Sequence, residues 1–467
     1  MDHRYYATTS MCPTCHALVP GEVVRRDDEV WVTRMCPEHG GFDGLVCSDV
    51  AWYERLPMFD VEPARPQGRR LPVTQAGCPT DCGLCSAHRQ IAGTAAIEIS
   101  NRCDAACPVC LADNVGTFDL SVADVTSALD ALFRQQDHVS AVALSGGEPT
   151  MHPALFDMIR ALERPGVERI VVNTNGLRVA RDDAFLDELA RHDRVYVSLH
   201  FDGAGAKALR GIDASVQERA LERLLARKIP AAPLVLAARG VNDHELGPLV
   251  LGLLRKDNVR TVMMSMLAHV GSRGEGFAGD PRTRLTIPGA LDAMEATSAG
   301  ALRKRDFMPL PMPNPLCAAI GYFFVMDDEV TPLVPLAPIE RVIDFTKNSN
   351  FGRADDDLEA LLREVIDRVY ASPEEHAPGL LGRLRKLAAL LFPEDRALDC
   401  DERTRLAESC LKTVYLYQFM DPWTFDASRL DKCSCQHLLP DGKIIPSCSY
   451  YALHRAKDPR FARAAEG

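Results

Sequence analysis

Three cysteines crowd one short stretch, Cys103-Asp104-Ala105-Ala106-Cys107-Pro108-Val109-Cys110, just behind the apolar run Ala95-Ala96-Ile97-Glu98-Ile99. Such a run reads as a buried strand, so the fold must deliver three thiolates together at a strand end. Iron–sulfur cubanes usually take four Cys. A cubane held by three leaves one iron without a protein ligand, which points to an iron reserved for chemistry rather than electron storage. The CxxxCxxC spacing also admits a zinc knuckle, but zinc usually takes four ligands from two paired loops.

Cysteine usage elsewhere extends the pattern. The chain of 467 residues holds 16 Cys. They gather as Cys12/Cys15, Cys36/Cys47, Cys78/Cys82/Cys85, Cys103/Cys107/Cys110 and Cys433/Cys435/Cys448, with Cys317, Cys400 and Cys410 apart. A reducing cytosol disfavours disulfides, and clustering in short loops is the signature of metal sites. Cys12-Pro13-Thr14-Cys15 with Cys36-Pro37-Glu38-His39 is a knuckle pair suited to one tetrahedral zinc or iron. Its fourth ligand is His39 or Cys47, and His39 has the knuckle spacing. Cys78, Cys82 and Cys85 repeat the CxxxCxxC spacing without a preceding strand and are expected to hold an auxiliary four-iron cluster, completed by His88 or left with an open site. Cys317, Cys433, Cys435 and Cys448 could supply four thiolates to a further cluster. Cys400 and Cys410 are spaced like residues on a helix and read as core.

The net charge of −12 argues against nucleic acid as an obligatory partner, since phosphate binding rests on clustered Lys and Arg. No apolar stretch reaches the roughly 18–20 residues of a membrane span, and Met1–Tyr6 lacks the apolar core of a signal peptide. The expected location is cytoplasmic, with any contact to the inner face of a membrane peripheral.

Four segments are expected: a metal-binding knuckle module over 1–60, an auxiliary-cluster segment over 61–92, an α/β core over 93–310 and a C-terminal auxiliary-cluster domain over 311–467. In the core, short apolar runs predict strands at Ala95–Ile99, Ala141–Leu144, Arg169–Asn173, Val195–His200, Leu234–Ala238 and Thr261–Met266. Helices are predicted between them at Ser121–Gln135, Pro153–Glu163, Asp182–Arg191, Ala214–Lys228 and Asp243–Lys256, with Ser121/Asp124 and Asp243 as caps. Further helices are expected near Asp355–Tyr370, Gly379–Leu391 and Arg403–Phe419. Six β/α repeats give a parallel sheet, doubly wound or a partial barrel, with chemistry at the C-terminal strand ends.

The strand ends carry polar residues. The second ends in Ser145-Gly146-Gly147-Glu148-Pro149-Thr150, where two glycines allow close backbone approach to a ligand and Pro149 biases Glu148 to an extended geometry. The third ends in Asn173-Thr174-Asn175-Gly176 and the fourth in Ser198-Leu199-His200-Phe201-Asp202-Gly203. Arg239, Asn242 and Asp243 follow the fifth.

CDAACPVC after strand one and GGEP after strand two together resemble the radical S-adenosylmethionine (SAM) superfamily. The resemblance implies a [4Fe-4S] cluster on Cys103, Cys107 and Cys110 whose open iron chelates the amino and carboxylate groups of SAM. It further implies cofactor contacts from Gly146, Gly147, Glu148, Pro149, Asn173, Asn175, Ser198, His200 and Asp202. An external electron donor such as ferredoxin or flavodoxin would reduce the cluster. The full order of knuckle pair, GCPTDCGLC, CDAACPVC, GGEP, NTNG, LHFDG, PNPLC and CSCQHLLPDGKIIPSC looks like archaeal tetraether-lipid synthases and related radical SAM pterin methylases. It implies a partial (β/α)6 TIM-type barrel with an N-terminal metal-binding module and a C-terminal iron–sulfur-binding extension. Here His200 stands where that family often has Gln, and Met312 where it has Cys, leaving Cys433 to replace that ligand. The activity expected is carbon–carbon bond formation at unactivated sp3 carbon, coupling lipid alkyl chains. Radical methylation of a pterin or other small molecule is the alternative. An iron–sulfur electron carrier or regulator is disfavoured, because a carrier needs no cofactor pocket.

Overall fold

Strands β1 (His3–Met11), β2 (Leu18–Arg26), β3 (Glu29–Cys36) and β4 (Gly40–Cys47) form an antiparallel meander in that order. Its two odd-numbered turns lie at one end and carry the knuckle residues. His16 at φ 58° and Gly40 at φ 80° complete these turns with left-handed backbone. The computed structural model describes residues 2–62, 77–80, 84–112, 118–277, 279–349, 352–372, 378–458 and 460.

The core strands are β5 (Thr94–Ser100), β6 (Val139–Gly146), β7 (Val167–Thr174), β8 (Val195–Leu199), β9 (Leu234–Ala237) and β10 (Thr261–Met266). All pair in parallel: β5 through β8 form one run and β9 pairs with β10. Isolated parallel bridges Val197↔Ala231 and His200↔Leu234 join the two runs. Helices pack outside. Val122–Phe133 starts at the expected Ser121/Asp124 capping box. The expected cap Asp243 instead opens a short 3-10 turn, where its carboxylate accepts from Gly240 N. Ile97, Ile99, Leu144 and Val172 are essentially solvent-free, and burying each such side chain contributes about 1.5–3 kcal/mol.

After β10 come β11 (Met308–Pro309), β12 (Ala318–Met326), β13 (Glu329–Pro332), β14 (Leu411–Tyr417), β15 (Cys435–Leu438) and β16 (Ile444–Pro446). Two of them extend the barrel. β14 pairs in parallel with β10, and β15 pairs in parallel with the opposite edge, β5. The helix expected over Arg403–Phe419 is therefore wrong in its second half: the helix runs Cys400–Cys410, and Leu411-Lys412-Thr413-Val414-Tyr415-Leu416-Tyr417 is a strand. Every second residue of it is buried, the period of a strand rather than a helix. The helices Asp356–Ala371 and Leu380–Leu391 occur as expected and pack with Cys400–Cys410 beside the N-terminal strand ends. A buried contact of Arg169 with Glu408, 2.5 Å, pins that helix to β7.

The meander is docked on the loop between β14 and β15. Tyr6 Oη and Thr8 Oγ1 donate to Asp426 at 2.8 and 2.5 Å, and Ser10 Oγ donates to the Phe425 carbonyl at 2.7 Å. A Cβ on Gly44 would sit 1.8 Å from the Trp423 carbonyl oxygen, so only glycine permits this approach. Among the described residues no helix is long and apolar enough to cross a membrane.

Candidate active site and metal centres

Cys103, Cys107 and Cys110 face one cavity of about 500 Å³. TIM-type barrels usually fill their interior with bulky branched side chains. Here the inward positions are mostly small, among them Ala96, Ala141, Ala143, Ser145 and Ser198, so the barrel stays hollow. The cavity reaches from the cysteine loop to Arg169, Arg260, Leu358, Leu362, Val365 and Leu387 at the opposite end.

The GGEP turn supports the cysteine loop from behind. Gly147 N donates to Ser100 O and Glu148 N to Arg102 O, both at 2.7 Å. A Cβ on Gly146 would lie 2.2 Å from Ser100 O, and one on Gly147 would lie 2.1 Å from Arg102 O. These glycines thus approach the backbone leading into the cysteine loop closely, and both also line the cavity. Glu148 has the extended backbone expected before Pro149, φ −122° and ψ 104°. Its carboxylate accepts from Thr150 N, Thr150 Oγ1, Thr174 Oγ1 and Asn175 N. Burial pushes the Glu148 pKa up against these donors. Its hydrogen bonds therefore tie GGEP to NTNG. Asn175 in turn donates to Asp104 inside the cysteine loop at 2.8 Å.

Asn173, Ser198 and His200 line the same cavity. Ser198 Oγ and His200 Nδ1 are buried without a hydrogen-bond partner, as expected of groups awaiting a ligand. Burial, reinforced by Arg210, pushes the His200 pKa well below its ordinary value, so the imidazole is neutral. Asp202 takes a different part from the one expected. It is solvent-free, accepts from Leu236 N at 2.7 Å and pairs with Arg210 Nε at 2.9 Å. The group that reaches the cavity is Arg210. No motif marks this residue, a lone Arg before Gly211 in a short helix; its one signal in the sequence is a charge beside the apolar Leu209.

Burial pushes the Cys103 thiol up to about 12 and raises Cys107 as well. Ligation requires thiolates, so a bound cation is what would keep these sulfurs ionised. Three thiols at a strand end, two orphaned polar atoms and one buried guanidinium fit a three-ligand cluster with a polar cofactor on its open iron.

Cys317, Cys433, Cys435 and Cys448 line the cavity's flank between β14 and β15. Donors are aimed at three of their sulfurs: Arg429 Nη2 at Cys317, 3.0 Å; Ser447 Oγ at Cys435, 3.1 Å; and Met420 N at Cys448, 3.3 Å. Such donors stabilise thiolates, so this set fits an iron–sulfur cluster too. Met312 is buried in an apolar cluster with Ile91 and Met308.

The ligand atoms of Cys12, Cys15, Cys36 and His39 all lie within 4.8 Å of one another. Cys15 Sγ to Cys36 Sγ is 3.9 Å and Cys36 Sγ to His39 Nδ1 is 3.5 Å. Tetrahedral zinc at the usual bond lengths requires about 3.8 and about 3.6 Å, so the quartet is preformed for one such ion. Cys47 is not part of it; its thiol donates to Asp49 O at 3.3 Å. Of the Cys78/Cys82/Cys85 group, Cys82 lies outside the described residues. His88 Nε2 lies 3.0 Å from Cys433 O, which places that segment beside the C-terminal cysteines.

The hollow parallel barrel with a three-cysteine loop on its first strand is the architecture of a radical SAM enzyme. Residues 73–250 match the radical SAM superfamily, which uses SAM and a [4Fe-4S] cluster, and residues 4–48 match the HMPTM N-terminal zinc ribbon domain. The chain thus carries a radical SAM domain behind a metal-binding ribbon. It is 26% identical over 500 residues to the 7,8-dihydro-6-hydroxymethylpterin dimethyltransferase of Methanocaldococcus jannaschii, covering 96% of this chain and 94% of that protein. It is 28% identical over 222 residues to the GTP 3',8-cyclase of Chlorobaculum tepidum, covering 45% of this chain and 66% of the cyclase. Streptococcus suis SuiB bound to S-adenosylmethionine superposes with a TM-score of 0.37 at 14% identity, over 45% of this chain and 47% of SuiB.

Proposed function

We propose that this radical SAM enzyme attaches carbon to an unactivated carbon centre, as a radical methyltransferase acting on a pterin or a similar small molecule. The observation supporting it is the reach of the similarity: the pterin dimethyltransferase aligns with ribbon, barrel and C-terminal extension together, 96% of the chain. This replaces lipid alkyl coupling as the first choice.

Cys103, Cys107 and Cys110 would hold the cluster, which together with bound SAM would supply radical chemistry in the cavity. Asp202 holds Arg210 at the cavity wall, where its guanidinium would suit a cofactor carboxylate. Ser198 Oγ and His200 Nδ1 would offer hydrogen bonds to polar cofactor atoms, and Asn173 borders the same space. The GGEP and NTNG turns hold the loop still, while the barrel wall excludes water from the radical. Cys317, Cys433, Cys435 and Cys448 carry an auxiliary cluster, and Cys78, Cys82 and Cys85 a second. The ribbon quartet holds one zinc or iron as a structural ion.

Coupling of lipid alkyl chains remains the second choice on one observation. Beside Arg169 and Arg260, the far end of the cavity carries the aliphatic side chains Leu358, Leu362, Val365 and Leu387, a surface that suits a long apolar tail. The deciding experiment is anaerobic turnover with methyl-labelled SAM, a reductant of the ferredoxin or flavodoxin class, and either a dihydropterin or an isoprenoid lipid. Label in the pterin product supports methyl transfer. An unlabelled coupled lipid supports the second choice, and absence of 5'-deoxyadenosine with every substrate overturns both.

A further inference from the structure

Arg429 is only 2% exposed, yet it has no carboxylate within 4.0 Å among the described residues. Asp431, two residues on, pairs with Arg89 at 3.0 Å, and Asp426, three residues back, is engaged as well. Both Asp426 oxygens accept hydrogen bonds, from Tyr6 and Thr8 of the ribbon and from Ser428. Arg429 Nη2 is instead 3.0 Å from Cys317 Sγ, and Arg429 Nε is buried without a partner.

A buried guanidinium beside neutral thiols would be offset only by the Asp426 charge, with no direct ion pair, which proteins avoid because removing an ion from water is costly. Thiolates supply the missing negative charge. Cys317, Cys433, Cys435 and Cys448 lie around the same end of the cavity, and four thiolates on a four-iron cluster carry net negative charge. We infer that Arg429 is the built-in counter-ion of the auxiliary cluster held by these four cysteines and sets that cluster's reduction potential. The inference rests on the proposal that the four cysteines hold a cluster.

The direction follows from charge. Reduction adds one electron to the cluster, and a fixed cation against a ligand sulfur favours the more negative, reduced state. Hydrogen bonds to the sulfurs, net charge and exposure are the levers that set such potentials, and Arg429 acts through the first two. Asp426, whose hydrogen bonds go to the ribbon and to Ser428, acts on Arg429 only through its charge, while the guanidinium's hydrogen bond goes to Cys317.

The test uses the reconstituted full chain and redox titration followed by electron paramagnetic resonance, with the Cys103/Cys107/Cys110 cluster as internal reference. In Arg429→Gln the auxiliary cluster's reduction equilibrium should move about tenfold toward the oxidised state, about 59 mV lower for one electron. Arg429→Lys should stay within threefold of the parent, and the reference cluster should not move in either variant. An Arg429→Gln potential within twofold of the parent overturns the proposal, as does a lysine variant shifted as far as the glutamine one. If Arg429→Gln does not fold, a lysine variant that keeps cluster and potential supports the charge requirement, and one that loses the cluster overturns it. The double change Cys433→Ala/Cys448→Ala tests the premise separately. Loss of one cluster's iron supports the premise, and unchanged iron content means that no cluster sits there.

Discussion

Asn175 Nδ2 donates to Asp104 Oδ1 at 2.8 Å, so the turn after the third barrel strand grips the loop that carries the three thiols. A hydrogen bond to a charged group contributes about 1.5–3 kcal/mol. Asn175→Ala should therefore raise the SAM concentration for half-maximal 5'-deoxyadenosine formation about tenfold, while the thermal midpoint changes little. Cofactor titration of the reconstituted variant checks this.

Gly147→Ala should cost more. The new methyl would lie 2.1 Å from a backbone oxygen of Arg102, and backbone cannot swing aside as a side chain can. Overpacking of this kind costs about 1–3 kcal/mol. The expected outcome is a folded chain that retains ribbon metal but binds less iron at the barrel and forms almost no 5'-deoxyadenosine. Metal analysis combined with the cleavage assay separates the two effects.

His200 stays neutral because burial drives its pKa well below the ordinary value. A lowered value means that the ring gains its charge only at a pH below that of an ordinary histidine. His200→Gln, which keeps a neutral hydrogen-bonding side chain, should leave the shape of the pH profile for SAM cleavage unchanged. His200→Ala should weaken SAM binding without altering that shape. A profile that flattens on His200→Gln would disprove the neutral assignment.

Asp421 gives an acid-side prediction. Burial pushes its pKa up, but Arg284 at 2.6 Å and the His269 amide outweigh burial and hold it below the usual value. A depressed folded value means the unfolded chain binds the proton more readily. Its stabilisation is complete above the ordinary value of about 3.9 and is lost as pH falls through the folded one. Asp421→Asn should lower the melting temperature at pH 7 and flatten the decline below about pH 4. Melting curves across pH test both parts.

Removing the ribbon metal should be felt at a distance. His39→Ala leaves three ligands for a tetrahedral ion, and the strands that contact Phe425 and Asp426 depend on the turns around it. The variant should lose its single ribbon metal, become susceptible to proteolysis between β1 and β4, and melt earlier. Metal analysis with limited proteolysis provides the check.

Much of the barrel was legible because its strands are short apolar runs and its helices are amphipathic. Ser121 and Asp124 announced their capping box through side-chain chemistry alone. What stayed hidden was relational. The alternation of Leu411–Tyr417 marks a strand, but a preceding helix of similar polarity masked the change of period at Cys410. Asp202 reads as a pocket residue because it follows a strand end; only its partners, Arg210 and Leu236 N, show that it is buried behind the cavity wall. Gly146 and Gly147 read as a close-approach site, yet sequence does not say that Ser100 and Arg102 lie against them.

The parallel pairing of Cys435–His437 with Thr94–Ala96 imposes a timetable on synthesis. The edge of the strand that leads into the three-cysteine loop is completed by residues emerging from the ribosome more than 300 positions later. Until then, the sheet beside the loop is open and the flank bearing Cys433, Cys435 and Cys448 does not exist. Such non-local pairing is slow to form. Delivery of iron and sulfide to the finished site therefore belongs after translation, and a chain truncated before Cys435 would keep its three-cysteine loop yet lack the wall that shelters it.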